Sequence, residues 1–229
     1  VSQLPGTEIS ARLNEPGQGP ISLTALLEAA QRYELASTFD HHFLEVGIKA
    51  LARAQRQGRK MFCLIPLSKS AITTPETANF LSRQLLRLNV SGEGLYLMFT
   101  EDIGSHHASQ LAEFAHRIAP LGCRIALSDF GNGAASFSHL NTLRPSHLRL
   151  SQSLTRDIEN GRTSTALLRA ILEIAREQNI VTIADGVDDT LLLECLRNLG
   201  VDYVQGKAVA PHEPFDAWFE GVVMRGCGD

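Results

Sequence analysis

Short apolar runs alternate along this chain with longer stretches whose apolar residues recur at helical spacing. Met61 to Ile65 is an apolar run that predicts a strand, stopped by Pro66. Gly94 to Phe99, Ile125 to Leu127, Ser146 to Leu150, Ile180 to Ala184 and Val201 to Gln205 predict five more, the last being the final strand. The alternating Glu8 to Leu13 predicts an opening one. Helical spacing marks Leu23 to Tyr33, N-capped by Ser22, and a second helix capped by Ser37 or Thr38 that ends near Gly58. Thr74-Pro75-Glu76 opens another, with proline just inside the first turn. Further helices are predicted over His106 to Ala119, around Ala135 to Leu143, over Thr163 to Glu177, over Thr190 to Leu199 with Gly200 as terminator, and over Glu213 to Met224.

Strands alternating with helices through short connections mean an α/β fold, a parallel sheet covered by helices. At 229 residues an eight-unit TIM-like (β/α)8 barrel is favoured over a doubly wound open sheet. No glycine-rich dinucleotide loop or P-loop follows the first strand, which also weighs against the open sheet. One barrel strand is missing or very short at the N-terminus.

Composition narrows the classes. A net charge of −4 gives no basic face for duplex nucleic acid. No apolar run is long enough to span a bilayer. Cys63, Cys123, Cys195 and Cys227 form neither a CxxC pair nor a zinc-like spacing, which suits a reducing, cytoplasmic setting. Val1 to Gly6 lacks a signal peptide's basic and apolar regions. The expectation is a single domain over 1–229, cut from a larger signalling protein.

The chemistry centres on Arg124 to Gly133. Its apolar run ends in Ser128 and Asp129, followed by Phe130-Gly-Asn-Gly133. This reads as a buried strand that delivers a carboxylate to its C-terminal tip, where parallel α/β folds place their chemistry. The glycines allow a tight turn and close approach of a ligand. A strand cap satisfied by nearby backbone is the other reading.

Five tips, taken in order, resemble the EAL domain, the bacterial cyclic di-GMP phosphodiesterase family. Gly6 to Arg12 resembles G-x-E-A-L-L-R, Ser128 to Gly133 resembles D-D-F-G-T-G, and His147 to Ser151 resembles Y-L-K-I-D. Ala184 to Asp188 resembles A-E-G-V-E, and Asp202 to Gly206 is D-Y-V-Q-G unchanged. The resemblance implies a modified (β/α)8 barrel. It also implies two cations, magnesium or manganese, that activate the attacking water. Here the pattern is broken. Pro66 stands at the family's asparagine, Met98 at a glutamate, Ser128 and Ser151 at aspartates, and Arg149 at the lysine. Asp185 and Asp188 replace glutamates, one methylene shorter. Glu101 and Asp102 lie further along the chain and are poor substitutes by position for the lost glutamate, although Glu101 or Asp188 could serve as replacement ligands. Hard cations need several oxygens, so the expectation is a lost metal site, no catalytic residue and no hydrolysis.

The resemblance leaves a cradle for the dinucleotide: Glu8, Arg12, Asp129, Arg149, Asp185, Gly186, Gln205 and Gly206. It implies that arginines attract phosphate and that Asp185 accepts from guanine. The alternative is that the carboxylates cap strands, Gln205 bonds backbone and the arginines are solvated. Three functions follow: a degenerate receptor for cyclic di-GMP that signals to a protein partner or adjacent domain, a nucleotide-blind interaction module, or a weak phosphodiesterase using replacement ligands. Related domains often form homodimers.

Overall fold

The computed structural model describes residues 6–10, 23–132, 137–156, 158, 162–209 and 225–226. Among these, strands β1 (Gly6–Glu8), β2 (Phe62–Pro66), β3 (Leu95–Thr100), β4 (Arg124–Phe130), β5 (His147–Leu150), β6 (Val181–Ala184), β7 (Tyr203–Val204) and β8 (Arg225–Gly226) follow in order. Helices α1 (Leu23–Arg32), α2 (Ala36–Arg56), α3 (Ser70–Thr73), α4 (Glu76–Leu88), α5 (Glu101–His106) and α6 (Ala108–Ile118) occupy the first half. The rest are α7 (Ser138–Leu143), α8 (Gln152–Arg156), α9 (Arg162–Glu177) and α10 (Thr190–Leu199). The chain falls into two compact units. An N-terminal unit takes residues 8–99 and 109–124; a C-terminal unit takes 6–7, 100–108 and those from 125 on.

In the N-terminal unit β2 and β3 pair in parallel, from Cys63 with Leu95 to Pro66 with Met98. Both strands are largely apolar, as strands covered on both faces must be. Leu44, Ile48 and Leu51 of α2 are buried with Leu64, Ile65, Leu81 and Leu97. Gly47 faces Ile65, where a Cβ would collide, so α2 can lie close to β2. Phe99 and Phe114 meet edge to face at 5.8 Å.

In the C-terminal unit β4, β5, β6 and β7 are successive parallel neighbours. β8 then pairs antiparallel with β7. Leu127, Phe130, Leu148, Leu168, Ile171, Ile183 and Leu196 form the buried core. Asp202 ties the foot of this sheet: its Oδ2 accepts from the Thr182 amide at 2.8 Å and the Thr182 hydroxyl at 2.7 Å.

Several local expectations need correction. The second helix starts at Ala36 with Leu35 at the cap position, so neither Ser37 nor Thr38 caps it. Pro75 is the cap residue of α4 and lies outside its first turn. β2 runs through Pro66 instead of stopping before it. The stretch from 101 to 118 is two helices that break at His107. Its first part begins earlier than expected because Thr100 Oγ1 accepts from the Ile103 amide at 3.5 Å. α8 has too few residues to show a period and escaped the sequence reading. The strand after α10 is not the last, since β8 follows. Ser22, residues 11–13 of the opening strand and the helix expected over Glu213 to Met224 lie outside the described residues.

Candidate functional site

The tip of β4 carries the carboxylate. Pairing with β5 shifts register between Leu127 and Phe130, an irregularity in the ladder. Asp129 sits in it with φ 56, a left-handed conformation that Asp tolerates better than most residues. Ser128 is buried, and its hydroxyl donates to Asp129 Oδ2 at 3.3 Å. Gly131 follows with φ 90; a side chain there would press on Leu154 and Ile171. Its amide donates to Glu101 Oε2 at 2.9 Å. Beyond it, Asn132 Oδ1 accepts from the Ser153 hydroxyl at 3.0 Å, and Ser153 is hydrogen-bonded to Ser151 at 3.0 Å. The loop leaving β4 is therefore held from α5 on one side and from the start of α8 on the other.

Arg149 projects from β5 between two carboxylates. Its guanidinium lies 3.7 Å from Asp129 Oδ1 and 3.8 Å from Asp185 Oδ2, and its side chain is only 15% exposed. Asp185, at the tip of β6, is surrounded by donors. Oδ1 accepts from the Gly186 amide at 2.8 Å and from Gln205 Nε2 at 2.9 Å; Oδ2 accepts from Gln152 Nε2 at 2.9 Å. The β6 and β7 tips are laced together by Gln205 N to Ala184 O at 2.9 Å and Val187 N to Gln205 O at 3.1 Å. Gly206 has φ 148 and abuts the backbone of Val187, with no room for a side chain.

Of the residues singled out in the sequence, Asp129, Arg149, Asp185, Gly186, Gln205 and Gly206 thus meet at the strand tips of the C-terminal unit. Arg12 lies outside the described residues. Glu8 belongs to the N-terminal unit; burial first, and then the Glu8 charge, push the Cys63 thiol upward. Pro66 and Met98 are register partners in that unit, both buried, and neither side chain carries an oxygen. Just beyond β2, the Ser68 amide and hydroxyl donate to buried Asp40 at 2.8 and 2.7 Å. Burial raises Asp40 to about 6 and outweighs the two Ser68 hydrogen bonds, which act the other way. Asp188 Oδ1 faces the Lys207 amide at 3.4 Å. Among the described residues no three His, Cys, Asp or Glu side chains are grouped as a metal-holding set.

Sequence reasoning missed Glu101, Gln152, Ser153 and Asn132 as parts of this site. Glu101 was weighed only as a replacement metal ligand, whereas it is 7% exposed and anchors Gly131 thirty positions on. No local pattern announces such a contact.

Residues 2–212 match the EAL domain family. This chain belongs to the EAL family. An EAL domain of Xanthomonas citri FimX, solved in complex with c-di-GMP, superposes with a TM-score of 0.81 at 29% identity, covering 90% of this chain and 81% of that one. The EAL enzyme Bd1971, in its cAMP and cyclic-di-GMP bound form, gives a TM-score of 0.84 at 21% identity, covering 94% and 59%. Cyclic di-GMP phosphodiesterase PdeF of Escherichia coli (strain K12) is 24% identical over 207 residues, which is 90% of this chain and 28% of that protein. The chain spans about a quarter of the length of curated relatives that it matches, 28% and 26% for two of them. The fold expected from the sequence, the TIM-like (β/α)8 type with a short first strand, is the EAL fold.

Proposed function

We propose that this EAL domain is a receptor for cyclic di-GMP that does not hydrolyse it. It reports the ligand to a protein partner or an adjacent domain of a larger cytoplasmic signalling protein. The observation that carries the reading is Arg149 set between Asp129 and Asp185. The two carboxylates hold the guanidinium at the strand tips, where its forked donors suit the oxygens of a phosphate group. The relatives fit this choice of ligand, since one is named a cyclic di-GMP phosphodiesterase and another was solved with c-di-GMP.

The residues present do not fit two divalent cations. Such cations take about six oxygen ligands each. Both oxygens of Asp185 already accept from the domain's own N–H donors. Asp129 shares its charge with Arg149. Pro66, Met98 and Ser128 stand where the family resemblance requires oxygen-rich ligands.

Calorimetry with cyclic di-GMP, followed by assay of the same sample for linear pGpG in the presence of manganese, tests the proposal. Heat without product is expected. Manganese-dependent product overturns the non-hydrolytic part, and absence of heat at tens of micromolar protein overturns the receptor. A second reading, the nucleotide-blind interaction module, draws support from the donors already gathered on Asp185. Under it, Asp185→Ala leaves the cellular output unchanged.

A further inference from the structure

Gln152 is the first residue of α8, and its side chain is exposed. It nevertheless does not extend into solvent. It crosses to β6 and donates Nε2 to Asp185 Oδ2 at 2.9 Å. On the way its Cγ and Cδ pass 3.1 and 3.0 Å from the point where a Cβ on Gly186 would stand. Gly186 has φ 73, so glycine both permits the turn and leaves the space that Gln152 fills.

The donors around Asp185 differ in how firmly they are held. Oδ1 is bound by the Gly186 amide, which is backbone, and by the side chain of Gln205, which is half-buried and whose backbone N–H is bonded to Ala184 O at 2.9 Å. Arg149 projects from the middle of a strand and is mostly buried. Gln152 alone among these four donors is an exposed, multiply rotatable side chain at a helix start. It can swing into water without moving backbone, and water then replaces its lost hydrogen bond.

We propose that Gln152 is a displaceable cover on Asp185. It competes with an N–H donor of the incoming ligand for Oδ2, and so sets how tightly the domain holds a base with N–H groups along its edge, as guanine has. This rests on the receptor reading above and adds to it a residue that lowers affinity. Leaving Asp185 costs the free protein one hydrogen bond, and the ligand must supply it.

The test is calorimetry of the full chain with cyclic di-GMP, wild type against Gln152→Ala. One net hydrogen bond corresponds to a dissociation constant about fivefold lower for the variant. A second readout keeps Gln152 in place. The side-chain amide NMR signal of Gln152 should differ from its position in Asp185→Ala, and should move toward that position as the nucleotide saturates. Equal or weaker binding by Gln152→Ala, with wild type binding normally, overturns the cover while the receptor stands. So does an amide signal that the nucleotide leaves in place. No heat from either protein overturns the receptor and, with it, a nucleotide as the displacing ligand. If Gln152→Ala does not fold, the amide signal decides.

Discussion

Arg149 is where the chemistry of single residues can be tested most directly. It lies between two carboxylates with little exposure, so its removal takes away the local positive charge and leaves Asp129 and Asp185 facing each other. Charge-assisted hydrogen bonds are worth about 1.5–3 kcal/mol. Arg149→Ala should therefore weaken cyclic di-GMP binding by about tenfold or more in calorimetry. Arg149→Lys should recover only part, because an ammonium lacks the fork. Asp40 gives a prediction in pH. Its folded pKa, about 6, lies above the ordinary 3.8, so the folded state favours the neutral acid. Stability from this group is fully present below 3.8 and is lost as pH rises through 6. The shift corresponds to about 3 kcal/mol. The Asp40→Asn substitution keeps an acceptor for the Ser68 amide and does not titrate. Urea unfolding of Asp40→Asn and wild type should therefore diverge between those two pH values, with only the wild type gaining from acid. At this scale the sequence was legible where a motif carried the residue, as with Asp129, Arg149 and Asp185. It gave no sign of Gln152 or of the anchoring role of Glu101, which depend on partners about thirty positions away.

Elements were legible where local chemistry sets both ends. α10 runs from Thr190 to Leu199 as expected, because Asp189 accepts from the Leu192 amide at 2.8 Å and Gly200 takes φ 85. Asp189→Ala should cost about 1 kcal/mol in thermal or urea unfolding. Apolar periodicity alone could not divide α5 from α6, since the division comes from the Thr100 cap and the turn at His107. The β6 and β7 tips meet through Gly206, and a methyl group there would meet Val187 backbone, which has no side-chain freedom to give way. Gly206→Ala should open the tip around Asp185 and Gln205. Faster amide exchange at Val187 and Gln205 would register it. Glu101→Ala should likewise speed exchange of the Gly131 amide, whereas Glu101→Gln keeps an acceptor there.

At the scale of the molecule, parallel alternation was readable because strands covered on both faces need unbroken apolar runs, and the helices between them need a single apolar stripe. Among the described residues no helix is long and apolar enough to cross a membrane. Whole-chain stability offers a readout of what the domain binds. A ligand at one hundred times its dissociation constant adds about 2.7 kcal/mol. Cyclic di-GMP should raise the melting temperature by several degrees, and manganese alone should leave it unchanged. Asp129 bears on the same quantity from the opposite direction. Its left-handed backbone stores strain of order 1 kcal/mol, and asparagine, of like size, suits that conformation at least as well. The Asp129→Asn variant should melt no earlier than the wild type. In that outcome, relief of the strained backbone outweighs the half-exposed ion pair with Arg149, and the position marks a stability reserve that an engineer could recover only by surrendering that negative charge.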